Sequence, residues 1–72
     1  MKGYYELALS VGSRLHRMID NRCITQEQLS KISGVSGSSI SKYINGRFLP
    51  NTYLLYLLCK ALGCTASELL GF

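Results

Sequence analysis

The chain has one proline, one histidine and four acidic residues among its 72 positions, and no long apolar run. Each scarcity closes something off. The lone histidine, His16, has no ligand-like neighbours, and the three cysteines include no Cys-x-x-Cys pair. No metal site is therefore expected. An odd cysteine count does not make a disulfide framework, so a reducing, cytoplasmic setting is expected. Cys59 and Cys64 fall where the helical pattern takes small apolar residues, and Cys23 falls at a helix end. The apolar run at residues 53–59 is far too short to span a bilayer. Lys2 is followed by no sustained apolar stretch of the signal-peptide kind, so no membrane association is expected. No base stands near a candidate nucleophile and no glycine loop could cradle a phosphate. An enzyme, a cofactor and a small-molecule ligand are all unexpected.

The shortage of acidic groups leaves eight basic residues and a net charge of +4. That balance favours a polyanionic partner such as double-stranded DNA without requiring one. The length suits one domain spanning residues 1–72, and a hydrophobic fraction of 47% is ample for its core. A domain this small needs good helix packing, a staple or a partner.

Tyr4, Ala8, Val11, Leu15 and Met18 recur at spacings of four and three, which marks an amphipathic helix. Leu7 and Ile19 widen the stripe. Gly12 interrupts it at a cost of about 1 kcal/mol relative to alanine, so the helix is expected to bend there or to begin at Ser10. Arg14, Arg17 and Arg22 lie mostly off the stripe, as a solvated basic face or with one of them in contact with phosphate. The sole proline, Pro50, cannot sit inside a helix, so a fourth helix should start at or after it and end at Gly63. Thr65 and Glu68 form a capping box for a short fifth helix through Leu70.

The most informative stretch is residues 25–46, TQEQLSKISGVSGSSISKYING. Thr25 and Gln28 make a capping box, with Ile24 placed as a hydrophobic staple before it. Leu29 and Ile32 give the helix that follows an apolar face, and Gly34 ends it. Val35 points into a core, Ser36 caps a second helix, and Ile40, Tyr43 and Ile44 carry its apolar side up to Gly46. Two helices with so short a link cross steeply, as in a helix-turn-helix, whose second helix enters the DNA major groove. The small Ser30, followed by Gly34, Val35 and Ile40, with Thr25-Gln26 and Asn45-Gly46 as the frame, resembles the lambda-repressor and Cro-like helix-turn-helix family. Pro50, the run Lys60-Ala61-Leu62-Gly63-Cys64, and Glu68-Leu69-Leu70 look like its fourth and fifth helices. The expected fold is all-α, with five helices and the motif at helices 2 and 3.

The resemblance implies that Gln26, beside the Thr25 cap, touches the DNA backbone and that Asn45 and Arg47 meet phosphates. The second motif helix turns Ser36, Gly37, Ser38, Ser41 and Lys42 outward, with Ser39 near the backbone. Lys42 is the only strong base reader among them. Gly37 stands where the family often carries a long polar side chain. Readout by serine hydroxyls, water and DNA shape fits this face. So does a module that has turned from DNA toward protein contact, such as an antitoxin or an inhibitor. The family often joins an arginine on helix 1 to a glutamate late in helix 3; Ile19 and Ile44 stand there instead and are expected to touch.

Helix 4 carries two apolar stripes. Leu55, Leu58, Cys59 and Leu62 suit the core, while Tyr53, Leu54, Leu57 and Ala61 are rotated away, and only Lys60 interrupts the circumference. The second stripe, with Phe72, is expected to form a homodimer interface, with cover by Tyr4 and Tyr5 as the alternative. The expected protein is a sequence-directed DNA-binding protein, a transcriptional repressor or regulator, acting as a homodimer.

Overall fold

Four of the five helices begin at a side-chain cap. The computed structural model describes residues 3–72; Met1 and Lys2, part of the domain read from sequence, lie outside the described residues. The helices are α1 (Tyr4–Asn21), α2 (Gln26–Ser33), α3 (Gly37–Ile44), α4 (Thr52–Leu62) and α5 (Ala66–Leu70), with no strand among the described residues. Thr25 accepts from the Gln28 N–H at 3.0 Å while Gln28 Oε1 accepts from the Thr25 N–H at 2.8 Å. Thr65 and Glu68 repeat this capping box at α5. Ser36 caps α3 and Asn51 caps α4. Only α1 starts without a side-chain cap, at Gly3.

Each helix sends at least one fully buried side chain into the core. Leu15, Leu29, Ile40, Leu58 and Leu69 come from α1 to α5 in turn, and each has 0% of its surface exposed. Full burial of such a side chain contributes about 1.5–3 kcal/mol. Helix α1 packs on α3 and α5, α2 on α3 and α4, and α4 on α5. The α2–α3 turn is tied on both sides of Val35. Ser30 Oγ donates to the Val35 carbonyl at 2.7 Å, and the Val35 N–H donates to Ser33 Oγ at 3.1 Å. Both backbone groups of a buried turn residue are thus satisfied, as burial requires. Gly34 before it has φ +80°, a conformation that costs glycine little.

Three expectations are corrected. Helix α1 does not begin at Ser10 but runs continuously from Tyr4 through Gly12 to Asn21. Gly12 is buried, and a Cβ on it would stand 2.5 Å from the Tyr43 carbonyl oxygen and 2.6 Å from that of Ile44. Its missing side chain is what lets α1 lie against the end of α3. On α2 the buried pair is Leu29 with Ser33, one turn apart, while Ile32 falls on the flank at 62% exposure. Arg14 does not lie on a solvated face. It is half-buried, with its guanidinium against the backbone of Gly71, the α5 C-cap. Its Nε is buried without a hydrogen-bond partner.

On α4, Leu58, Cys59 and Leu62 are buried, and Leu54, Leu55, Leu57 and Ala61 are half-buried against the same core. Tyr53, Tyr56 and Phe72 stay largely in solvent. Tyr4 and Tyr5 lie within α1, edge to face at 5.3 Å, and the Tyr4 hydroxyl accepts from the Leu49 N–H at 2.9 Å. Cys23 is exposed with φ +53°. Cys59 is buried, and its thiol is pushed up to about 11 by burial, with the neighbouring Cys64 and Glu68 adding to the effect. No helix of the described residues is long and apolar enough to cross a membrane.

Candidate nucleic-acid interface

The exposed side of α3 follows from its buried side. Ile40 and Tyr43 face inward, so Ser38, Ser41 and Lys42 turn to the other side of so short a helix. Asn45 ends the helix, its N–H donating to the Ser41 carbonyl at 3.0 Å. The chain then turns sharply, and the Arg47 N–H donates back to the Lys42 carbonyl at 3.0 Å. The result brings Ser38, Ser41, Lys42, Asn45 and Arg47 around one open polar concavity. No carboxylate lines it. Asn45 Nδ2 makes only a long contact, 3.4 Å, to Ser41 Oγ. Two cations and three uncharged polar side chains therefore face outward together.

The other five residues singled out from sequence lie outside that lining. Ser36 and Ser39 are committed to each other. Ser36 Oγ accepts from the Ser39 N–H at 3.1 Å and donates to Ser39 Oγ at 2.9 Å. Gly37 stands at the first turn of α3, and a Cβ there would meet nothing within 4 Å. No neighbouring group of the protein itself requires its missing side chain. Gln26 is exposed at the first position of α2, where unpaired N–H groups and the helix dipole attract anions. Thr25 is exposed beside it, its oxygen taken by the capping box and its O–H free to donate.

Two contacts beside this surface are not given by helical periodicity. Phe48 is 51% exposed, and its ring centroid lies 5.8 Å from Lys42 Nζ. Tyr4 reaches the same connection through its bond to Leu49. Phe48 borders a second groove, shared with Ser39 and Lys42. Phe48 reaches Lys42 across the turn that ends α3, and Tyr4 reaches Leu49 from α1, 45 residues away, so no periodic pattern pairs them.

Of the dimer residues expected from sequence, Tyr53 and Phe72 are exposed, at 65% and 82%, and Leu54, Leu57 and Ala61 are partly covered by the protein's own core. Among the described residues no group of three His, Cys, Asp or Glu side chains is placed to hold a metal ion.

Comparison with known proteins agrees with this geometry. The helix-turn-helix family profile matches residues 16–69. The restriction-modification controller protein C.AhdI from Aeromonas hydrophila superposes with a TM-score of 0.83 at 26% identity, over 92% of this chain and 98% of that one. The clp gene regulator ClgR from C. glutamicum superposes with a TM-score of 0.80 at 28% identity, over 89% of this chain and 83% of that one. No curated relative matches in sequence. With its motif at α2 and α3 and its polar α3 face turned outward, the chain belongs to the helix-turn-helix family of DNA-binding transcription regulators, of the Cro/C1 type.

Proposed function

We propose that the chain is a sequence-directed transcriptional repressor or regulator that binds double-stranded DNA as a homodimer with α3 in the major groove. The observation that carries this reading is the concavity on α3, where Ser38, Ser41, Lys42, Asn45 and Arg47 converge with no carboxylate among them. In it Arg47 and Asn45 grip phosphates on one side of the groove. Gln26 and the Thr25 hydroxyl grip them on the other, at the α2 N-terminus. Ser38, Ser41 and Lys42 face the base edges. Gly37 lets α3 approach closely, while the Ser36 and Ser39 hydroxyls serve the cap first. Short hydroxyl side chains favour readout through water and DNA shape, with Lys42 supplying the direct contact to a purine acceptor edge. Pairing through Tyr53, Leu54, Leu57 and Ala61 of α4, together with Phe72, would hold two α3 helices about one DNA turn apart.

Salt titrations test the reading. Each neutralised phosphate contributes about −0.9 to the slope of log K against log salt. Arg47→Ala is expected to weaken binding to all duplexes alike and to reduce the slope by about one. Lys42→Ala is expected instead to flatten the preference between sites, by roughly 1–3 kcal/mol where it reads a guanine. Equal DNA affinity of both variants and the wild type would remove α3 from the interface. Sedimentation of the wild type without DNA tests the pairing, and a monomer at tens of micromolar would contradict a constitutive dimer.

A further inference from the structure

The connection after α3 is tied by a hydrogen bond on each side of an aromatic ring that stands beside the one long cation on α3. Phe48 sits between two anchored neighbours. On one side the Arg47 N–H donates to the carbonyl of Lys42 itself at 3.0 Å; on the other the Leu49 N–H donates to the Tyr4 hydroxyl at 2.9 Å. The ring between them is 51% exposed, so it contributes little to the core. Lys42 Nζ stands 5.8 Å from its centroid, within the range of a cation–π attraction.

We infer that Phe48 is a specificity-determining residue of the DNA interface, a positioning residue that restrains the Lys42 ammonium for an acceptor-bearing purine edge. The inference rests on the DNA-binding reading above and deepens it. A lysine on an exposed helix face samples many rotamers, and that freedom is lost when the ammonium docks on one base. A ring fixed beside it removes part of that freedom beforehand, which is preorganisation. The ring acts on the ammonium through its quadrupole, so an aliphatic side chain of similar bulk does not replace it. Tyr4 acts one step further out, by fixing the backbone that carries the ring.

The consequence is a coupling between two residues that only DNA discrimination reports. The probe is the duplex enriched by the wild type from random DNA, with a scrambled duplex of the same composition beside it. Phe48→Leu is expected to lower the preference for the enriched duplex about two- to fivefold. Affinity for the scrambled duplex and the salt slope are expected to stay as in the wild type. Phe48→Tyr, which keeps a π face, is expected to restore the preference. In a Lys42→Ala background, Phe48→Leu is expected to do nothing more. Independent, additive losses from the two substitutions would overturn the inference. So would an unchanged preference, or a gain in preference in Phe48→Leu. Circular dichroism confirms that the variants are folded, which half-exposure of Phe48 favours. A wild type that enriches no sequence would count against the DNA-binding reading itself. Enrichment without any effect at Phe48 would count against this inference alone.

Discussion

Gly12→Ala sets two rules of helix chemistry against each other. Inside an isolated helix, alanine in place of glycine stabilises by about 1 kcal/mol. In this fold the new Cβ would meet the Tyr43 and Ile44 carbonyl oxygens at 2.5 and 2.6 Å. Both belong to the backbone at the end of α3, so no side chain can rotate out of the way. The two helices would have to part by roughly 1 Å to reach ordinary contact, which opens the packing around Ile40 and Tyr43. Overpacking of this kind costs about 1–3 kcal/mol, and the upper end applies where backbone meets backbone. With the propensity gain subtracted, a net loss of about 2 kcal/mol is expected. In a domain of this size that lowers the melting temperature by about 8–16 °C. Gly37→Ala is the control: the position is open, so propensity alone acts, and stability should hold or rise by up to about 1 kcal/mol. Urea and thermal unfolding of the two variants read the difference directly. A Gly12→Ala protein as stable as the wild type would refute the close approach of α1 and α3.

Thr25→Ala removes the capping-box oxygen at α2 and is expected to cost about 1 kcal/mol in urea unfolding; no loss would mean that the cap is dispensable. The Cys59 thiol keeps its proton in the folded state to about 11, above its ordinary value of 9.0. The unfolded chain releases that proton first as pH rises, so stability from this group is full below pH 9.0 and declines toward pH 11. Cys59→Ala should be less stable at neutral pH but lose that part of the alkaline slope, and an identical slope in both proteins would contradict the assignment. Ile44→Glu is expected to destabilise by about 2 kcal/mol or more by placing an unpaired carboxylate against the core, and adding Ile19→Arg should recover part of the loss. Additive losses in that pair would show that the two side chains are not neighbours.

What the sequence discloses is what short-range chemistry decides. The Thr25–Gln28 and Thr65–Glu68 boxes act across three residues, and both form as read. Gly34 and Gly63 end their helices in the left-handed conformation, for reasons local to each turn. The five-helix family pattern follows from these stops and starts. What stays hidden depends on a partner brought in from another helix. Gly12 reads as a flaw in a stripe because its reason for lacking a side chain is the end of α3. Ile32 reads as core because helical spacing allows it, yet Ser33 takes the buried place through its bond to Val35. Arg14 reads as a surface cation until α5 folds back over it. At the candidate interface, Lys42, Asn45 and Arg47 are legible from the motif frame. Phe48 is not, since it reaches Lys42 across a turn and belongs to no helix.

Selection of bound sequences from random duplex DNA tests the central claim most directly. A two-fold dimer with α3 in the major groove should enrich a palindrome whose half-sites lie about 10 base pairs apart, centre to centre. Substituting Arg47→Ala should weaken the enrichment without changing the sequence, and substituting Lys42→Ala should blur one position in each half-site. Recovery of unenriched, random sequence by a folded wild-type protein would contradict the account.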